Sequence, residues 1–191
     1  MRRKKLSYDL RRPGGSRDRA VMIAASHIVT GAATGALCRR AWIAVPVAFA
    51  SHFALDQIPH SCFNMLSETA LSKPISLLVS VGKIAGFAAI VAAIVLAWRL
   101  PARWVSLAAA VAAFLPDPLC YWQPINQWFA LLPGSCLVPW AHRAFHCDVT
   151  RTHVLLGFAT QAVVIGLGLY VLARKKPRTL VSPQAELLRS G

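Results

Sequence analysis

Five apolar stretches, at roughly 21–38, 41–58, 76–98, 102–121 and 153–173, occupy most of this 191-residue chain. Each is close to the ~20 residues that a helix needs to cross a hydrocarbon core. In lipid only helices and closed barrels satisfy their own backbone, and none of the stretches alternates with the period of two that a barrel strand requires. The sequence therefore predicts an all-α, polytopic membrane protein with about five transmembrane helices in one domain spanning 22–173. Composition agrees: 56% of residues are hydrophobic and 15% charged, whereas a soluble domain carries about 25% charge.

The net charge of +14 is concentrated at the ends, with eight of the 21 Lys and Arg residues before residue 20 and five from Arg174 onward. Residues 1–21 are expected to be a disordered basic extension, with Met22 a candidate natural start, and 174–191 a basic tail. Such runs fit orientation signals and contact with anionic lipid. The tail lacks the aromatic interleaving of a nucleic-acid binder, so the expected partner is the bilayer and not nucleic acid; oligomeric state is left open. Pairs of glycines four apart, Gly31/Gly35 and Gly82/Gly86, suit close helix packing. The turn at 39–41 is short enough to make the first two spans an antiparallel hairpin.

Ionisable residues inside apolar spans are costly and mark sites. Here they collect at one end. His27 opens the first span; His52, Asp56 and His60 run through the end of the second; Asp117 closes the fourth; His142, His146 and His153 precede or open the fifth. With five alternating crossings, all of them share one leaflet. His52, Asp56 and His60 are four apart and form one helical stripe, although Pro59 ends the helix near Ile58. Asp117, between Pro116 and Pro118, is expected at a broken helix end. His142 and His146, four apart, can share one metal. His and Asp donors suit a divalent transition metal, Zn or Mn first. Arg143 and Arg151 flank the cluster and are suited to bind a phosphate or carboxylate. Residues 122–141 are expected to lie in the interface or to re-enter the membrane, capping the site, with Tyr121, Trp122, Trp128 and Trp140 forming an aromatic belt.

Several of these elements together resemble a known family. His27 with the small residues after it, the Leu115-Pro116-Asp117 element, the His142–Arg143 pair and Thr152–His153 resemble bacterial inner-membrane proteins described as membrane-bound metal-dependent hydrolases of the LexA-regulated type. The element SHFALDQIPH (51–60) is similar to one found in small bacterial membrane proteins of uncharacterised function. The resemblance covers roughly 22–173. It departs from the hydrolase pattern in having Pro118-Leu119 where a second acidic residue is usual.

The resulting expectation is an integral-membrane metal-dependent hydrolase. Metal ligands are drawn from His52, Asp56, His60, Asp117, His142 and His146; Asp56, Asp117 and His153 are the catalytic candidates; Arg143 and Arg151 hold substrate; His27 is a supporting residue. A site at headgroup depth points to a lipid-linked ester or phosphoester. The alternatives are a small transporter or proton/metal relay, or a non-enzymatic assembly factor in which the cluster only locks helices together. Apart from residues 1–21, the side opposite the histidines carries most of the basic residues: Arg39, Arg40, Arg99, Arg103 and the Arg174–Arg178 run. That asymmetry predicts a cytoplasmic C-terminus and a site on the outer face of the inner membrane. Cys62, Cys120, Cys136 and Cys147 could then form up to two disulfides.

Overall fold

The computed structural model describes residues 21–60, 73–147 and 153–176. The basic extension up to residue 20, the tail beyond residue 176, Cys62 and Arg151 lie outside the described residues. Eight helices follow in order: α1 (Val21–Cys38), α2 (Ala41–Asp56), α3 (Lys73–Trp98), α4 (Arg103–Phe114), α5 (Pro116–Tyr121), α6 (Gln123–Phe129), α7 (Leu137–Phe145) and α8 (Val154–Arg174). No strand occurs among the described residues. Three segments are long and apolar enough to cross a membrane: Pro74–Trp98, Arg103–Tyr121 and Val154–Arg174. At 1.5 Å per residue the shortest, 19 residues, still reaches about 28 Å, close to the hydrocarbon thickness. α2 is a shorter apolar helix of 16 residues.

α1 is the hub, packing against α2, α3, α4 and α8. Helices gain little from burying apolar surface when lipid is equally apolar, so close backbone approach through small residues carries the packing. The sequence supplies them in register. α3 buries Gly82, Gly86, Ala89, Ala93 and Ala97 along one stripe, while Leu77, Ile84, Phe87 and Ile94 face outward and are exposed. α2 buries Ala44, Ala48, His52 and Asp56, each four residues after the last. The α1–α4 contact is the tightest. A Cβ at Gly31 would stand 2.5 Å from the Ala109 carbonyl oxygen, and one at Gly35 2.4 Å from Ser106 Cα. Against α8, a Cβ at Gly168 would meet Val29 at 2.5 Å.

The α1–α2 connection is as short as expected. Arg39 adopts φ 56°, and its N–H closes on the Gly35 carbonyl at 3.0 Å, a left-handed C-cap. At the same end of the bundle Trp98 and Trp104 meet edge to face with Arg103 over both rings. The Pro116–Pro118 element is milder than a break. Leu115 keeps helical dihedrals between α4 and α5, and the two prolines only remove N–H groups from the ladder.

Gly31→Ala and Gly35→Ala are expected to lower stability by about 1–3 kcal/mol each, through forced separation of α1 and α4. Gly166→Ala, with open space around it, should shift stability by less than about 0.5 kcal/mol. Unfolding midpoints in detergent micelles measure both; equal effects at all three glycines would contradict the close-packing account.

Candidate metal centre

Five side chains from four elements meet at the end of the bundle: His27 of α1, His52 and Asp56 of α2, Asp117 of α5 and His142 of α7. Asp56 is the centre. Its Oδ1 lies 3.3 Å from His27 Nε2, and its Oδ2 lies 3.2 Å from His52 Nε2 and 3.4 Å from His142 Nε2. Asp117 Oδ1 adds contacts of 3.1 Å to His142 Nε2 and 3.7 Å to His52 Nε2. The His27 and His52 rings stack with centroids 4.0 Å apart. His27, His52, Asp56 and His142 are almost wholly buried, while the Asp117 side chain is 20% exposed and is the accessible carboxylate.

Backbone geometry sets the orientation of these rings. Near the end of α4 the Ala113 carbonyl accepts a 2.8 Å hydrogen bond from His52 Nδ1. A carbonyl only accepts, so Nδ1 carries a proton, and Nε2 faces the two carboxylates. His142 is anchored through its Nδ1, 3.2 Å from Tyr121 Oη. A ring nitrogen anchored to a carbonyl or hydroxyl while the other faces the site is the usual support for a metal-bound histidine.

The donor set fits a divalent metal. His52 Nε2 and Asp56 Oδ2 are buried without an aligned hydrogen bond, although they stand 3.2 Å apart. Close approach without donor-to-acceptor alignment is what two ligands of one cation show. A tetrahedral shell with Zn–N bonds near 2.0–2.1 Å has ligand-to-ligand edges of about 3.4 Å, and the contacts here run from 3.1 to 3.7 Å. Two subsets, His27/His52/Asp117 and His52/Asp56/His142, each gather three ligand atoms within 4.8 Å of one another. A dication would also neutralise the two carboxylates, which are costly to bury unpaired.

The other expected residues are placed differently. α7 stops at Phe145, and His146, the C-cap, turns to extended dihedrals. The helix ends between them, yet the His142 and His146 rings still meet, with centroids 5.1 Å apart and planes tilted by 36°. His146 Nε2 also meets His60 Nε2 at 3.3 Å, so the two outer histidines continue from the centre through His142; His60 Nδ1 donates to the Ile58 carbonyl at 2.9 Å. His153 caps α8 and is exposed, and makes no ion pair or ring contact with the five-residue cluster among the described residues. Arg143 lies exposed on α7, its Nε donating to the Pro139 carbonyl. Cys120, Cys136 and Cys147 are free thiols, so the expected disulfides are not formed among these three. Cys120 and Cys147 are half-buried and Cys136 is exposed; the fourth cysteine of the expected pairs, Cys62, lies outside the described residues.

Two participants were not assigned these roles from sequence. His27, expected only to support, contacts Asp56 directly. Tyr121, expected in an interfacial belt, holds His142. The signal for Tyr121 was its position four residues after Asp117 on one helical face. A backbone clamp completes the frame: Cys147 N–H donates to the Asp56 carbonyl at 2.7 Å, and His60 N–H donates to the Cys147 carbonyl at 3.2 Å. The chain matches no family model, no curated protein and no solved structure.

Purified protein is expected to hold about one transition metal ion per chain. His27→Ala, His52→Ala and Asp56→Ala should each lose most of it, and His60→Ala should keep it. Elemental analysis after gel filtration checks this, and stoichiometric metal in His52→Ala and Asp56→Ala together would remove them from the ligand set.

Proposed function

We propose that this chain is an integral-membrane, metal-dependent hydrolase of the kind it resembles, acting on a lipid-linked phosphoester or ester. The observation that carries the reading is the set of three imidazole nitrogens and two carboxylates spaced at the edge lengths of a metal shell. In this reading α1 and α2 join the three longer helices as membrane crossings, which makes five. A Zn or Mn ion at such a site supplies Lewis acidity, activating water and polarising a phosphoryl or carbonyl oxygen.

The chain's own residues take the remaining roles. His27, His52, His142 and Asp56 are the buried holders. Asp117, reachable from outside the bundle, is the base that accepts the proton of the attacking water. Tyr121 fixes the His142 ring through its hydroxyl. Arg143, exposed on the same short helix as His142, binds the anionic headgroup through its guanidinium fork. The apolar side chains of Trp128, Leu131, Leu137 and Trp140 are exposed around it, as suits a helix pair lying among lipid headgroups.

The bilayer is the bacterial inner membrane in this proposal, with the centre on the outer face and the C-terminus in the cytoplasm. The asymmetry of basic residues supports it: Arg39, Arg40, Arg99, Arg103, Arg174 and Lys175 all flank the end away from the cluster. In intact cells, a membrane-impermeant thiol reagent should label a variant whose only cysteine is Cys136, which is exposed. Protection of Cys136 alongside labelling of a cysteine placed in the tail would reverse the orientation.

Activity is tested on detergent-purified, metal-loaded protein with a panel of phospholipids and polyprenyl phosphate esters. Phosphate or headgroup release should stop with a chelator, return with Zn or Mn, and be absent in Asp56→Ala. Arg143→Ala should raise KM about tenfold at little cost in kcat, the loss of one charge-assisted contact. Hydrolysis that persists in Asp56→Ala would refute the metal-dependent reading.

A further inference from the structure

Behind the metal centre, on the side away from Asp117, a small cavity separates α1, the end of α2 and α8. Ser26, His27, Asp56, His60, Thr160 and Gln161 supply its polar lining, and its volume is about 10 Å³, room for one water. Gln161 is the unusual member. It is 4% exposed in the middle of an apolar helix, and its Oε1 has no partner. The neighbouring polar groups are engaged. Thr160 Oγ1 is occupied with the carbonyls of Pro59, Leu156 and Gly157; His60 bonds Ile58 and His146; Ser26 has a partner of its own.

Two other residues of the lining carry an unpartnered atom: Asp56, whose Oδ2 stands 3.2 Å and 3.4 Å from the His52 and His142 Nε2 atoms, and His27, whose Nδ1 stands near no such group. The opposite His27 nitrogen, Nε2, faces Asp56. When Nε2 presents its lone pair to a cation, the ring proton must sit on Nδ1, which becomes a donor. With Asp56 Oδ2 turned to the centre, the lining residues leave one unmatched donor, on His27, and one unmatched acceptor, on Gln161.

We propose that Gln161 and His27 hold a single ordered water in this cavity, which accepts from His27 Nδ1–H and donates to Gln161 Oε1. Gln161 is thereby a positioning residue for His27 as a metal ligand, a role that rests on the metal reading above. The water fixes the His27 proton on Nδ1, as the Ala113 carbonyl does for His52. All three histidines then have an outer partner, and α8 contributes to the centre without supplying a ligand.

The test is the affinity of the detergent-purified full chain for Zn²⁺ alone, by chelator competition, with the thermal midpoint of the metal-free protein beside it. Gln161→Met keeps the volume and removes the acceptor; Gln161→Glu keeps an acceptor. Gln161→Met should bind zinc about 10–100-fold more weakly, and Gln161→Glu should return to within about threefold of the parent. The metal-free midpoint of Gln161→Met should not fall, because without a cation the His27 proton can turn to Asp56 on Nε2, and the water then has no donor to hold it against Gln161. Unchanged zinc affinity in Gln161→Met overturns the proposal and leaves the metal centre standing. A drop in the metal-free midpoint shared by Gln161→Met and Gln161→Leu, misfolding included, overturns it in favour of a purely structural amide. Failure of the parent protein to bind zinc overturns the metal reading and this inference together.

Discussion

Two carboxylates inside a bundle of apolar helices set the terms for everything else in this molecule. Asp56 is almost wholly buried and Asp117 mostly so, and ionised groups in a low-dielectric interior require a compensating charge. The groups placed against them are neutral-capable histidines and not Lys or Arg. Imidazolium rings or a bound dication could each balance two negative charges there. The spacing of the donors suits the dication.

Bringing ligands from α1, α2, α5 and α7 to one point requires backbones to approach closely, and the small-residue stripes make that possible. Gly31 and Gly35 let α1 and α4 touch, which places His27 beside His52. The α2 stripe shows how packing and chemistry share one register: Ala44 and Ala48 fill the helix interface, and His52 and Asp56 continue the same face. Where that helix ends, its free carbonyl at Asp56 is taken up by Cys147 N–H, so the same residue anchors the site through both its side chain and its main chain.

The helical class and the clustering of polar residues at one end were legible because both depend on local rules: stretch length, and the parity of successive crossings. The His52–Asp56 pair was legible for the same reason, being one helical turn apart. What escaped depends on long-range geometry. The direct role of His27 follows from its helix being buried on every side, a property of the bundle and not of residues 21–38. The spacing of His142 and His146 pointed to neighbouring rings, and they do meet at 5.1 Å; what the spacing could not show is that the helix ends between them and that His60 meets the second ring from just beyond α2. The Pro116–Pro118 element read as a break, but Leu115 keeps helical dihedrals there, and it is the Ala113 carbonyl just before it that orients His52. No spacing rule links residue 52 to residue 113.

The order of the five clustered side chains along the chain has a consequence for how the cluster is built. Four of them, His27, His52, Asp56 and Asp117, lie on α1, α2 and α5; only His142 comes from the later α7. The fifth arrives last, on a short helix latched to the end of α2 by Cys147. Residue order makes α7 the door of the cluster, which stays open on that side until this last helix has packed.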